Sequence, residues 1–190
     1  MIKIGITGQS GFIGTHLFNR MSLFDGEYSM IDFKRSYFST ENELNEFVSK
    51  CDVIFHLAGL NRDKDEKNIL DTNVLLTKKI IRAMKKTQSS PHLIFTSSIQ
   101  ENNNNNYGLS KKECSILFQD WIDIAEGKYT SLIIPNVFGP FCRPYYNSVV
   151  ATFCHQLTND LNPQINVDST LKLIYIDELV DFMIDSMNQK

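Results

Sequence analysis

Residues 1–14 read MIKIGITGQSGFIG, an apolar run that breaks into a glycine-rich turn. The isoleucine-rich segment 2–7 has the continuous apolar character of a buried parallel strand. TGQSGFIG, residues 7–14, then places glycines at 8, 11 and 14. Gly8 permits a tight turn, Gly11 lets the backbone approach a pyrophosphate, and Gly14 lets helix and strand pack closely. The N–H groups that open the following helix would face the phosphates. A strand, this turn and a helix in that order predict a dinucleotide site, with a purely structural turn as the alternative.

The same alternation continues along the chain. Helix is expected over 11–21, 40–49, 69–86 and 109–126, and strand over 28–33, 52–58, 92–97 and 131–135. Thr40 and Glu43 have the spacing of a capping box for the second helix. Strands alternating with helices of this length predict right-handed crossovers and a doubly wound parallel sheet of Rossmann type in one domain. In such sheets ligands bind at the carboxyl ends of the strands. Asp32 follows Gly8 by 24 residues. An acid at the end of the second strand would accept a bond from an adenosine ribose and favour NAD. Lys34 and Arg35 come next, and a cation there could hold the 2′-phosphate of NADP. On these residues alone the choice of cofactor stays open.

The 190 residues are 42% hydrophobic with a net charge of -3. That balance supplies a core and argues against a general nucleic-acid binder. No apolar run approaches the length of a membrane span, and the first residues do not form a signal peptide. Four scattered cysteines and four histidines offer neither a disulfide framework nor metal spacing, so reduced thiols in a cytoplasmic protein are expected.

Residues 97–112, SSIQENNNNNYGLSKK, hold the candidate chemistry. Tyr107 and Lys111 are four apart and share a helix face. Ser98 closes the preceding strand. A free phenol titrates near 10, and a nearby ammonium should lower that value. Tyr107 could then give a proton to a substrate oxygen, with Lys111 tuning it and holding a nicotinamide ribose. The Ser98 hydroxyl could polarise the substrate carbonyl. The asparagines at 102–106 suit a tight polar turn, and single changes at 102–105 are expected to be tolerated while loop length is not.

TGQSGFIG, HLAG (56–59), TSS (96–98), YGLSK (107–111) and PNVFGP (135–140) together resemble the extended short-chain dehydrogenase/reductases, in their nucleotide-sugar epimerase/dehydratase branch. HLAGLNRD, the short gap from Ser98 to Tyr107, and PNVFGPFCRPYYNSVVATFCH are similar to the capsular polysaccharide assembling reductases. That resemblance implies NADPH-dependent reduction of a UDP-linked 4-keto-6-deoxy amino sugar, and so NADP(H) over NAD(H). It implies that Gly8, Gly11, Phe12, Ile13 and Gly14 cradle the pyrophosphate, and that Leu57, Ala58 and Gly59 line the cofactor. Asn73 would order the sheet nearby, and Pro135 and Asn136 would sit against nicotinamide and sugar. Ser98, Tyr107 and Lys111 would be catalytic, while Arg62, Arg143 and Asn147 would face the nucleotide sugar.

Three features depart from the pattern. Ile133 stands where the family often has arginine, and Asn106 where it often has proline. The sequence ends at Lys190, before the further substrate-binding structure and the metal-binding cupin domain of the resembled reductases. Helix 109–126 has apolar residues on two sides, Leu117, Trp121 and Ile124 on one and Leu109, Ile116 and Ile122 elsewhere. A homodimer through that helix is implied by the resemblance. Two other readings stand beside the reductase: an NAD-dependent nucleotide-sugar epimerase or dehydratase, and a cofactor-binding fragment or sensor without turnover.

Overall fold

A computed structural model describes residues 1–24, 26–165 and 167–188. The elements run β1 (Ile2–Thr7), α1 (Phe12–Met21), β2 (Tyr28–Ile31), α2 (Glu41–Lys50), β3 (Val53–His56), α3 (Glu66–Thr87), β4 (His92–Ser98), α4 (Asn106–Ala125) and β5 (Tyr129–Ile134). The strands form a parallel sheet in the order β2-β1-β3-β4-β5. The chain leaves β1 in one direction, to β2, and returns to build outward through β3, β4 and β5. The reversal between β1 and β3 opens a crevice at the strand ends. The expected doubly wound parallel sheet is therefore present.

Strand alternation divides the core into two layers. Val53, Phe55 and Ile94 meet Leu17 and Met21 of α1 on one face. Ile54, Leu93 and Phe95 meet residues of α2, α3 and α4 on the other, including Val48, Ile80, Met84 and Phe118. Both faces of the sheet are covered, which is why its strands read as apolar runs rather than alternating ones.

Residues beyond 135, to which the sequence assigned no elements, add β6 (Asn136–Phe138), α5 (Val149–Thr158), β7 (Leu173–Tyr175) and α6 (Ile176–Asn188). β6 and β7 pair in parallel as a separate small sheet. Each has three residues, too short to show a period. α6 lays Leu179, Val180 and Met183 onto the α1 face of the main sheet.

Several boundaries differ from expectation. The Thr40 side chain makes no capping bond, so the capping box does not form; Glu41 pairs with Lys86 instead, at 2.8 Å. α4 starts at Asn106 rather than 109, because the Asn105 side chain accepts from the Gly108 N–H at 2.7 Å. Asn105 is thus a helix cap. It is not interchangeable with its neighbours, which corrects the expected tolerance at that position. The apolar stripes of α4 also regroup. Trp121 and Ile122 are both buried, whereas Leu109, Ile116 and Ile124 are exposed. No helix among the described residues is long and apolar enough to cross a membrane.

Candidate active site

The ends of β1, β3, β4 and β5 and the segment after β6 enclose a cleft of about 1510 Å³. The glycine turn forms one wall. Gly8 has φ +78, and the Gly11 N–H closes the turn onto the Gly8 carbonyl at 2.9 Å. A Cβ on Gly8 would lie 2.8 Å from the Ala58 nitrogen, so this glycine, rather than Gly14, is the one that meets the neighbouring strand end. Gly14 is instead pressed against the turn itself, where a Cβ would strike the Gly8 carbonyl oxygen. α1 has no side-chain cap and no acid in its first turn. Its unpaired N–H groups and positive dipole end therefore suit an anion, and the turn fits the pyrophosphate of a nicotinamide dinucleotide.

The second wall begins at β3. His56 is buried, and its Nδ1 lies 2.8 Å from Thr7 Oγ1, tying β3 to β1. Burial and the Lys111 charge push its pKa down to about 3, so it is neutral and structural. Asn73, from α3, anchors the following loop. It accepts from Leu60 N at 2.6 Å and donates to Leu60 O and to Ser110 Oγ, both at 2.9 Å. Asn73 thus binds the 57–60 loop to α4. Asn73→Ala would leave the buried Ser110 hydroxyl and the partly buried Leu60 backbone groups without these bonds and should destabilise the fold by about 2–3 kcal/mol. The expected thermal midpoint is roughly 4–10 °C lower; an unchanged midpoint in a melting experiment would refute this role.

Ser98 and Tyr107 meet at the floor, with Lys111 behind them. Ser98 is the last residue of β4, and its hydroxyl accepts from Gln100 N at 3.2 Å to start a short 3-10 turn, Ile99–Asn102. A Cβ on Gly108 would run into the Gln100 carbonyl oxygen, so this turn lies directly on the start of α4. That close approach brings Tyr107 back over Ser98. Burial raises the Tyr107 pKa above its ordinary value, and a hydrogen bond from Ser98 pulls in the other direction.

Lys111 departs from expectation. Its Nζ donates to the Thr96 carbonyl at 2.8 Å and lies 5.7 Å from the Tyr107 ring centroid. The ammonium sits over the ring face and does not lower the phenol. Burial instead pushes Lys111 itself down to about 8.

Most of the other expected residues share the cleft. Gly11, Phe12, Ile13, Gly14, Leu57, Gly59, Arg62, Pro135, Asn136, Arg143 and Asn147 line it, with Ser98 and Tyr107. Ala58, Asn73 and Lys111 stand behind this lining. Asp32, Lys34 and Arg35 are not part of the wall. Asp32 and Lys34 face each other across 3.9 Å at the exposed end of β2. Asn61, Gln100 and Tyr146 also line the cleft and were not anticipated. All three lie within quoted motifs, but only tertiary contact reveals them.

A Rossmann-type sheet with a glycine turn, and a Ser/Tyr/Lys group at one cleft, defines a nucleotide-cofactor protein of the short-chain dehydrogenase/reductase kind. The chain belongs to the NAD dependent epimerase/dehydratase family, which it matches over residues 4–190. It is 35% identical, over all 190 residues, to a UDP-2-acetamido-2,6-beta-L-arabino-hexul-4-ose reductase of Pseudomonas aeruginosa. It spans about half, 50%, of that relative's length. Among solved structures it is similar to the capsular polysaccharide assembling protein CapF from Staphylococcus aureus, with 27% identity and a TM-score of 0.81 over 98% of this chain and 49% of that one. The UDP-glucose 4-epimerase of Thermotoga maritima shares the fold, with a TM-score of 0.85 at 20% identity, covering 100% of this chain and 74% of that one.

Proposed function

We propose that the chain is the cofactor-binding and hydride-transfer unit of an NADPH-dependent reductase acting on the carbon-4 ketone of a UDP-linked 6-deoxy-4-keto amino sugar, in surface polysaccharide synthesis. The observation that carries this reading is that Ser98 and Tyr107 line the same cleft as the glycine turn, with the Lys111 ammonium behind the Tyr107 ring. Its 35% identity to the Pseudomonas reductase supports the substrate class. Lys34 and Arg35 beside the end of β2 support NADP(H) over NAD(H).

The bound nicotinamide supplies the hydride. Ser98 donates to the ketone oxygen and Tyr107 gives it a proton. Lys111, behind Tyr107 with its ammonium over that ring, would reach a nicotinamide ribose by turning from the Thr96 carbonyl. The phenol, its pKa held above the ordinary value by burial, is protonated at neutral pH, the form that can give a proton to a ketone oxygen. Consumption of NADPH with a UDP-linked 4-keto sugar, measured against a Tyr107→Phe control, tests the reading; equal rates in the two proteins would end it.

Asp32 supports the second reading, an epimerase or dehydratase with NAD. Calorimetry with NAD and NADPH separates the two, since tighter NAD binding would favour it. The third reading, cofactor binding without turnover, draws on the Lys111 ammonium being turned to Thr96. The exposed Leu109, Ile116 and Ile124 of α4, with Leu75 of α3, support a homodimer through these helices. Sedimentation as a monomer at micromolar concentration would remove that part of the proposal. Four free cysteines and a nucleotide-bearing substrate are consistent with the cytoplasm.

A further inference from the structure

Two arginines in the cleft share one aromatic ring. The Arg62 guanidinium carbon lies 5.2 Å from the Tyr146 ring centroid and that of Arg143 lies 5.6 Å from it. Tyr146 also donates its hydroxyl to Asn61 Oδ1 at 2.6 Å. Arg62 and Asn61 follow β3, whereas Arg143 and Tyr146 follow β6. The ring therefore joins two loops that approach from different elements.

The cluster has an unbalanced charge. Among the described residues, neither arginine is paired with a carboxylate. Two guanidinium groups held near one ring repel each other unless an anion lies between or beside them. The second loop is also held in a conformation unusual for its residues: Phe141 and Tyr145 have φ of 64 and 55. Such left-handed conformations persist where surrounding contacts enforce them, and they gather at ligand clamps. Here the Tyr145 N–H is fixed to Thr152 Oγ1 at 2.9 Å.

The cleft thus has two seats for anions. One is the glycine turn with the start of α1. The other is Arg62 and Arg143. A ligand pair consisting of a dinucleotide and a nucleotide-linked sugar carries two separate diphosphates. Two planar guanidinium forks match the charge and the oxygen geometry of one diphosphate.

We infer that Arg62, Tyr146 and Arg143 form a latch across the cleft that seats the diphosphate of the nucleotide substrate, with Tyr146 setting the spacing of the two cations. This rests on the nucleotide-sugar reading above. Tyr146 is a positioning residue, since it acts through the arginines.

The test is calorimetry of the 190-residue chain with UDP, uridine, inorganic pyrophosphate and NADPH. Arg62→Gln and Arg143→Gln should each weaken UDP about tenfold or more, with uridine and NADPH within about twofold. Tyr146→Leu should also weaken UDP about tenfold, and Tyr146→Phe, which keeps the ring, by about threefold. All three positions are exposed, so thermal midpoints should hold. Equal loss of UDP and uridine, or a loss of NADPH as large as that of UDP, would overturn the latch. So would a wild-type chain that binds neither UDP nor pyrophosphate. If UDP binds tightly and the arginine variants match wild type, the latch fails and the nucleotide-sugar reading stands. If pyrophosphate binding depends on both arginines but UDP binds no more tightly than pyrophosphate, the latch stands and that reading fails.

Discussion

Tyr107→Phe is expected to reduce ketone turnover about 10²–10⁴-fold, with cofactor affinity within about twofold of wild type. The substitution removes one oxygen and keeps the ring. The Lys111 ammonium, 5.7 Å from that ring, and the close packing of Gly108 on the 99–102 turn therefore stay in place. The lost oxygen is the group hydrogen-bonded to Ser98, and the one proposed to give the substrate its proton. Rates with a UDP-linked 4-keto sugar, together with cofactor titration, check this. A variant that kept more than a tenth of wild-type turnover would show that the proton comes from elsewhere.

Lys111→Met should have two effects of opposite sign. Turnover should fall about 10²-fold or more, because the ammonium proposed to hold the nicotinamide ribose is gone. Stability at pH 7 should rise. Burial lowers the Lys111 pKa from 10.5 to about 8, so the folded chain binds this proton less readily than the unfolded chain. At about 1.4 kcal/mol per tenfold change, that corresponds to roughly 3 kcal/mol of destabilisation while both states are protonated. The bond to Thr96 and the Phe95 ring, 4.8 Å from Nζ, offset part of this, and methionine leaves the Thr96 carbonyl unpaired. The net gain should be about 1 kcal/mol, or roughly 2–4 °C in thermal midpoint. The sign with pH follows from the lowered value. The wild-type penalty is complete below about pH 8 and fades as pH rises from there toward 10.5, while the native lysine sheds its proton. The advantage of the methionine variant should therefore shrink across that interval. Melting curves at pH 7 and pH 10 that show a constant or growing advantage would contradict the burial argument.

The two substitutions illustrate a division of labour between neighbouring groups. Burial moves the Tyr107 phenol further from ionisation at neutral pH. Lys111 lies close to its own titration point because it is buried further. Both shifts come chiefly from burial.

The fold was largely legible in the chain because its signals are local. An apolar run before TGQSGFIG specifies a strand, a turn and a helix within fourteen residues, 1–14, and the alternation that follows leaves few ways to pair the strands. The Ser98, Tyr107 and Lys111 group could be named for the same reason, since its members lie within one strand–turn–helix passage. Residues whose role depends on distant partners were not legible. The Asn73 clamp needs α3, the 57–60 loop and α4 together. Tyr146 gains meaning only when Asn61, 85 positions earlier, lies beneath its hydroxyl. Short β6 and β7 pair across more than thirty intervening residues, 139–172, and leave no periodic trace.

The pKa directions were decided by tertiary structure as well. The sequence places a lysine one helical turn from a tyrosine and so predicts a lowered phenol. The fold turns the ammonium to the Thr96 carbonyl and buries both groups, and desolvation then governs each. Sequence determined which groups meet within one strand–turn–helix passage, because helix and strand periods fix neighbours along the chain. Tertiary structure determined the direction in which their proton affinities move, because the loss of water around a group depends on every element packed against it.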